Sequence, residues 1–433
     1  MKNSKEILGN FITTKKGFAF KSKWYARGGH PIVKVSDMSE NSINTDGLTY
    51  IPNKIACDYK SFALKAHDIV IQTVGSWPTN PKSVVGKVVK IPKSIEGALL
   101  NQNAVIIYPN EKLDKMYLYY ILKNYNFKNY IIGTAQGAAN QASITLESIK
   151  KFKFELIPIS TQRKISNLLF NLDSLIENNL RSIKILESVV RNLYQKWFVN
   201  FCFPRNENIT LIKSELGKKP RDWKITTLEN IIKVNKGKSY KSEEISLNNG
   251  MPFINLKCIY KGGGFRRDGL KKYKGKYKDT HTVFSNDTVI AVTDMSQKRE
   301  VVGRVARIGD AIKQKYIISL DIVSITPLEQ LGKNYLYSLL RFSNFSNIIK
   351  KYANGTNVLH LNPKNIENFK ILHPPISLIQ SYENIVRPIF HNIDFLDYKN
   401  KKLKAIIDLV SPKLISGEIN ASNLNIIKNN KVA

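Results

Sequence analysis

Residues 162–198 read QRKISNLLFNLDSLIENNLRSIKILESVVRNLYQKWF. Their apolar residues recur at alternating steps of four and three: Ile165, Leu169, Leu172, Ile176, Ile183, Leu186, Val190, Leu193 and Trp197. That rhythm is the seam of a coiled coil. At 1.5 Å per residue the predicted helix is about 50 to 60 Å long. Globular helices average about 11 to 12 residues, so packing on its own domain alone is the weaker reading. A second seam follows in Tyr382, Val386, Ile389, Ile393, Leu396, Leu403, Ile407, Val410 and Leu414. One amide interrupts each seam, Asn179 in the first and Asn400 in the second, and Asn400 aligns with Ile183. Parallel pairing would bury both amides without partners, at about 1 to 3 kcal/mol each. Antiparallel pairing sets Asn179 opposite Asn400 and leaves the other layers apolar, from Ile165 with Leu414 to Trp197 with Tyr382. A buried Asn layer fixes register, so this antiparallel register is predicted. Pro388 and Pro412 predict a local bend or a break in the second helix.

Outward from the two helices, the whole chain repeats at an offset of about 217 to 221 residues. Lys16-Gly17 returns as Lys236-Gly237, Asp68 to Ile71 as Asp287 to Ile290, Gly86-Lys87-Val88 as Gly303-Arg304-Val305. Solenoid periods run to only about 50 residues, so the repeat is of whole domains. Each copy carries strand-like runs, a short helix (115–130 and 333–350), a polar loop and a Pro-marked close at Pro158 and Pro375. An antiparallel helix pair with one mixed domain per helix predicts a dumbbell with an approximate two-fold axis, the helices spacing two heads.

Lys and Arg number 67 against 34 Asp and Glu, a net charge of +33 over 433 residues. For an ordered chain that excess favours a nucleic-acid partner over a small metabolite. Cys57, Cys202 and Cys258 form no CxxC pair, which argues against a disulfide framework and a structural zinc. No apolar run reaches membrane-span length, and a cytoplasmic protein is expected.

The chain resembles the specificity subunit of type I restriction-modification systems. The matching residues are Leu156-Ile-Pro158-Ile159 followed by Gln162-Arg-Lys-Ile165, Leu172-Asp173-Ser174-Leu175-Ile176, and Leu193-Tyr-Gln-Lys-Trp197-Phe198. Gly355-Thr356, His360-Leu-Asn-Pro363 and Ile366-Glu-Asn-Phe369 match as well, as do Leu216-Gly217, Pro220 and Trp223 at the start of the second unit. The first unit lacks this Pro-x-x-Trp start and is expected to be less closed there. The resemblance implies an α+β chain: two target-recognition domains with β-sheet cores, joined by two long antiparallel helices in a coiled coil with pseudo-two-fold symmetry. The implied division is domain 1 at 1–158, helix 1 at 159–203, domain 2 at 204–375, helix 2 at 376–418 and a tail at 419–433. It also implies a non-catalytic reader of double-stranded DNA, each domain reading half of a split, asymmetric site. Two modification (DNA-methyltransferase) subunits would dock on the helices, and motor-nuclease restriction subunits would join them. S-adenosylmethionine, ATP and Mg are expected on those partners, and no cofactor or metal on this chain.

The residues themselves agree with a non-catalytic reading. Gly237-Lys238-Ser239 is not a phosphate loop, because Ile232 stands where its first glycine belongs. His373-Pro374-Pro375-Ile376 lacks an accompanying donor-binding glycine motif. Asp68, Asp287 and Asp294 read as strand-end residues. A stand-alone methyltransferase or nuclease, or a basic scaffold for RNA or protein, are the alternatives.

Base reading calls for Arg or Lys toward guanine and Asn or Gln toward adenine. In the first domain the candidates are Lys21, Lys23, Arg27, Gln136, Asn140 and Gln141. In the second they are Lys241, Arg266, Arg267, Lys271, Lys298, Arg299, Asn354, Thr356, Asn357 and His360; a solvated basic face for the lysines and plain polar connecting loops are the alternatives. Apolar residues outside the seam, Leu168, Leu175, Leu180, Ile185 and Val189, suggest a further partner surface, with packing against the recognition domains as the alternative.

Overall fold

Three apolar residues open the strand Ile69–Gln72 without alternation, because both faces of the strand are covered. The structure, a computed structural model, describes residues 5–78, 84–138, 141–204, 209–246, 248–309, 314–328 and 331–421. It divides into one unit of residues 1–175 with 403–433 and a second of residues 176–402.

In the first unit, β1 (Ile12–Lys16), β2 (Ile69–Gln72), β3 (Val88–Lys90) and β4 (Ala104–Pro109) form an antiparallel sheet in the order β1-β4-β2-β3. Ile69 and Ile71 pack with Tyr117 and Leu118 of α1 (Lys115–Lys123). Val70 points the other way, onto Val33 and Leu100 of a smaller three-stranded sheet. The first spacer helix, α2, runs Ile159–Tyr194 and ends in a π-helical turn, Gln195–Val199.

The second unit repeats this plan. Its main sheet holds β5 (Ile232–Lys236), β6 (Thr288–Ala291), β7 (Val305–Arg307) and β8 (Ile322–Pro327) in the order β5-β8-β6-β7. Ile290 faces the helical layer with Leu336 of α3 (Lys333–Phe342), while Val289 and Ala291 face a five-stranded sheet. The second spacer helix, α4, runs Ile376–Ile415 and passes through Pro388 and Pro412.

The Lys-Gly pair shared by the repeats marks a close crossing. A Cβ at Gly17 would stand 2.1 Å from Asn101 O, and one at Gly237 2.0 Å from Ser319 O. Only glycine lets the end of β1 or β5 pass that backbone.

The single helix expected over 115–130 is two helices. Asn124 is extended and its side chain accepts from Asn126 N–H, starting a second helix at Tyr125–Gly133. In the second unit Ser343 is extended and its Oγ accepts from Phe345 N–H at 3.1 Å. Both units pair a strand at their start with a late strand, and the second adds the hairpin Leu211–Ser214 with Gly217–Pro220 and the buried Trp223. Lys5–Ile7 pairs with Lys153–Glu155, as Lys224–Thr227 pairs with Lys370–His373.

The two units start their helical layers differently. Asp114 caps α1 by accepting from Tyr117 N–H at 2.9 Å. The matching position before α3 is Gly332, with no side chain to offer. Glu383, on α4, fills the role instead, accepting from Tyr335 N–H at 2.9 Å and Asn334 Nδ2 at 2.7 Å. Glu383→Ala is expected to cost about 1 to 3 kcal/mol, the price of orphaned helix-start donors, read as a lower urea midpoint.

Within the second unit the helices run antiparallel. The rings of Trp197 and Tyr382 pack at a 60° tilt with centroids 6.0 Å apart. Asn179 Nδ2 donates to Asn400 Oδ1 at 2.7 Å, with both side chains buried. Within the first unit, Ile165 and Leu169 share a core with Leu414 and Val410. Asn179→Leu should leave the buried Asn400 Oδ1 without its donor, lowering stability by about 1 to 3 kcal/mol. Adding Asn400→Leu should recover the loss, because both polar partners then disappear together. A urea series on the wild type, the single and the double variant checks this; an additive loss in the double variant would contradict it.

Candidate nucleic-acid interface

Each unit brings two distant loops together at one end of its main sheet. In the second unit the short strand Thr293–Asp294 pairs with Leu359–His360. This sets the loop after Asp294 beside the loop 353–360. Asp294 is buried and accepts four hydrogen bonds: Ser296 N–H at 3.0 Å, Ser296 Oγ at 3.1 Å, Val301 N–H at 2.7 Å and Val302 N–H at 3.1 Å. Burial pushes its carboxyl pKa up, but these backbone donors outweigh it and leave the group below its ordinary value. Asp294 is therefore the clamp of a loop, not a nuclease carboxylate. Gln297 then ties the loops together, donating to Gly355 O at 3.2 Å and Thr356 O at 2.5 Å. Arg299, with φ 51°, donates to Ala353 O at 3.3 Å.

The first unit builds the same pair from other side chains. Val74–Gly75 pairs with Ala142–Ser143. Trp77 Nε1 donates to Ala138 O at 3.1 Å, the tie that Gln297 makes in the second unit. Gln136 pairs with Ser143 as Asn354 pairs with His360. Gly137 and Gly355 follow those residues at φ 147° and 143°.

The sequence model of the family described as "Type I restriction modification DNA specificity domain" matches residues 5–187 and 220–406. The chain belongs to this family. The MjaIX type I restriction enzyme specificity subunit of Methanocaldococcus jannaschii is 28% identical over 337 residues, covering 75% of this chain and 73% of that one. The MjaVIII subunit of the same organism is 22% identical over 412 residues, covering 93% and 92%. The S subunit from M. genitalium, a crystal structure, shares the fold with a TM-score of 0.58 at 16% identity, covering 95% of this chain and 96% of that one. As a specificity subunit, the chain serves DNA-sequence recognition within a complex and leaves catalysis to other subunits.

In this specificity subunit the loop pair gathers Lys298, Arg299, Asn354, Thr356, Asn357 and His360, from two stretches far apart in sequence. Asn354, Thr356, Asn357, His360 and Lys298 are exposed. Gln136 and Gln141 are exposed in the first unit's loop, and Asn140 lies outside the described residues. The remaining candidates fall elsewhere. Lys21, Lys23 and Arg27 are exposed in the segment leading into the smaller sheet, with Lys21 over the Trp24 ring at 5.5 Å. Lys241 is exposed at the matching place, 3.9 Å from Glu243, and Lys271 is a half-buried strand residue.

The paired arginines are engaged within the chain. Arg266 makes a bidentate pair with Asp268 at 2.6 Å on both bonds. Arg267 binds Asp397 of α4 at 2.5 Å and is mostly buried. Arg267 thus fastens the recognition domain to the helix and is not a free base reader. Asp68 and Asp287 likewise pair with Lys115 at 2.8 Å and Lys333 at 2.6 Å. The sequence reading missed Trp77 and Gln297. The only local signal was the glycine that returns as Gly137 and Gly355.

On the helices Leu175, Leu180, Ile185 and Val189 are exposed, as are Ile385, Phe395, Ile406 and Leu409. Leu168 instead packs partly buried against the first unit's core, the other of the two expected placements. No helix among the described residues is long and apolar enough to cross a membrane.

Proposed function

We propose that each unit reads one half of a split, asymmetric site in double-stranded DNA through its tied loop pair. The carrying observation is that the two loop pairs share a frame and differ in side chains. Gln136 and Gln141 stand where the other unit offers Asn354, Thr356, Asn357 and His360. One frame with two sets of donors and acceptors suits two different half-sites. The two helices set the unread gap, and their exposed apolar faces dock two modification subunits. Motor-nuclease subunits join these for cleavage. S-adenosylmethionine, ATP and Mg act on those partners, in the cytoplasm. The net charge of +33 supplies sequence-independent attraction to phosphates.

Methylome sequencing of a cell expressing this chain with its modification subunit tests the reading. A split motif, methylated on adenine, is the expected result. An unsplit motif, or methylation at unrelated sequences, would overturn it. Binding to a random split-site duplex pool should also fall steeply with salt.

A further inference from the structure

We propose that Met295 is a base-reading residue that recognises the 5-methyl group of a thymine in the second unit's half-site. The inference rests on the reading of the loop pair as the DNA-contacting surface. Met295 is 72% exposed, the most exposed large apolar side chain among the described residues. A lone surface methionine usually means nothing. Here its setting is specific. The residue before it, Asp294, is buried and spends its carboxylate on four hydrogen bonds that hold the loop. The tie to the facing loop is made by Gln297, so Met295 is not needed to join the two. The clamped loop therefore presents a flexible, exposed apolar side chain one residue past the strand Thr293–Asp294, which pairs with Leu359–His360.

The chemistry narrows the target. Among base edges in the major groove, only thymine carries an apolar group, its C5 methyl, and proteins meet it with apolar side chains. A thioether chain with three rotatable bonds can fold over that methyl. In the first unit the matching position is Ser76, which is paired in an isolated bridge with Val84. The thymine contact would then belong to one half-site only, adding to the asymmetry of the pair.

The test uses the full chain with its modification subunit and duplexes carrying its methylation site. Each thymine of the second half-site, on either strand, is replaced in turn by deoxyuridine, which deletes only the methyl. At one position the wild type should bind about fourfold more weakly, the value of burying one methyl group. Met295→Ala should bind the thymine duplex more weakly by a similar factor and show no thymine preference at that position. Met295→Leu should retain the preference. Insensitivity of the wild type at every thymine, or an undiminished preference in Met295→Ala, would overturn the proposal. So would unstacking of a base step by Met295, reported by 2-aminopurine fluorescence, without any deoxyuridine effect. Absence of site-selective binding altogether would instead strike the reading of the loop pair. The two failures are therefore distinguishable.

Discussion

Arg307→Ala is expected to destabilise the second unit by about 3 to 5 kcal/mol, the usual cost of removing one partner from a buried ion pair. The guanidinium of Arg307, at the end of β7, bonds both carboxylate oxygens of Asp394 on α4, at 2.6 and 2.8 Å. Their side chains are only 6% and 11% exposed. Phe390 lies under the guanidinium at 4.5 Å, and Asn286 Oδ1 accepts from it at 3.3 Å. Truncation strips one charge and leaves the Asp394 carboxylate in a site with little access to water. The remaining carboxylate, more than the lost bond, sets the size of the effect. Arg307→Met combined with Asp394→Leu should restore most of the stability, since no unpaired charge then remains. Urea denaturation, with hydrogen exchange in β6 and β7 as a local probe, measures both. A loss below about 1 kcal/mol in Arg307→Ala would mean that water reaches Asp394. The first unit has a related device: buried Lys90, at the end of β3, sits over the Phe170 ring of α2 at 4.6 Å.

The second large effect is on recognition. Gly355→Ala is expected to weaken site-selective binding by about 10-fold or more while leaving the fold nearly unchanged. Gly355 has φ 143°, which L side chains rarely adopt, and a Cβ there would lie 2.0 Å from Val358 O. The obstacle is backbone, so the loop itself must move. It would carry Asn354, Thr356 and Asn357 with it and disturb the tie from Gln297. A well-placed bidentate contact is worth about 1 to 3 kcal/mol, or roughly 5- to 150-fold. Non-selective binding at low salt should persist, because it draws on distributed Lys and Arg charge. The loop is exposed, so the urea midpoint should shift little. Gly137→Ala should act alike on the other half-site, where a Cβ would meet Gln141 O at 2.1 Å. Competition between half-site-scrambled duplexes tells the two apart. Equal loss on both half-sites from either variant would show that the loops do not read separately.

The architecture was legible because its signals are periodic or repeated. A heptad rhythm states a helix face wherever the helix lies. A chain written twice states two units, and the shared Lys-Gly and loop glycines mark crossings that any side chain would block. The site was less legible. Arg266 and Arg267 after a glycine turn read as free donors, and the structure spends them on Asp268 and Asp397. Nothing local to Arg267 announces a carboxylate 130 residues away.

By itself, then, the sequence determined two similar α+β units and two helical seams with one amide each. Those features depend on side-chain spacing along one segment, which local geometry converts directly into a buried face. Apart from the Asn179–Asn400 layer, which the heptad register already paired, tertiary structure alone decided which polar groups meet. The strand pair Thr293–Asp294 with Leu359–His360 draws Lys298 and Arg299 beside Asn354 and Thr356, while Arg307 goes to Asp394. Such pairings depend on where the chain turns back on itself. Which charges remain free to meet DNA follows from what the folded core has already claimed.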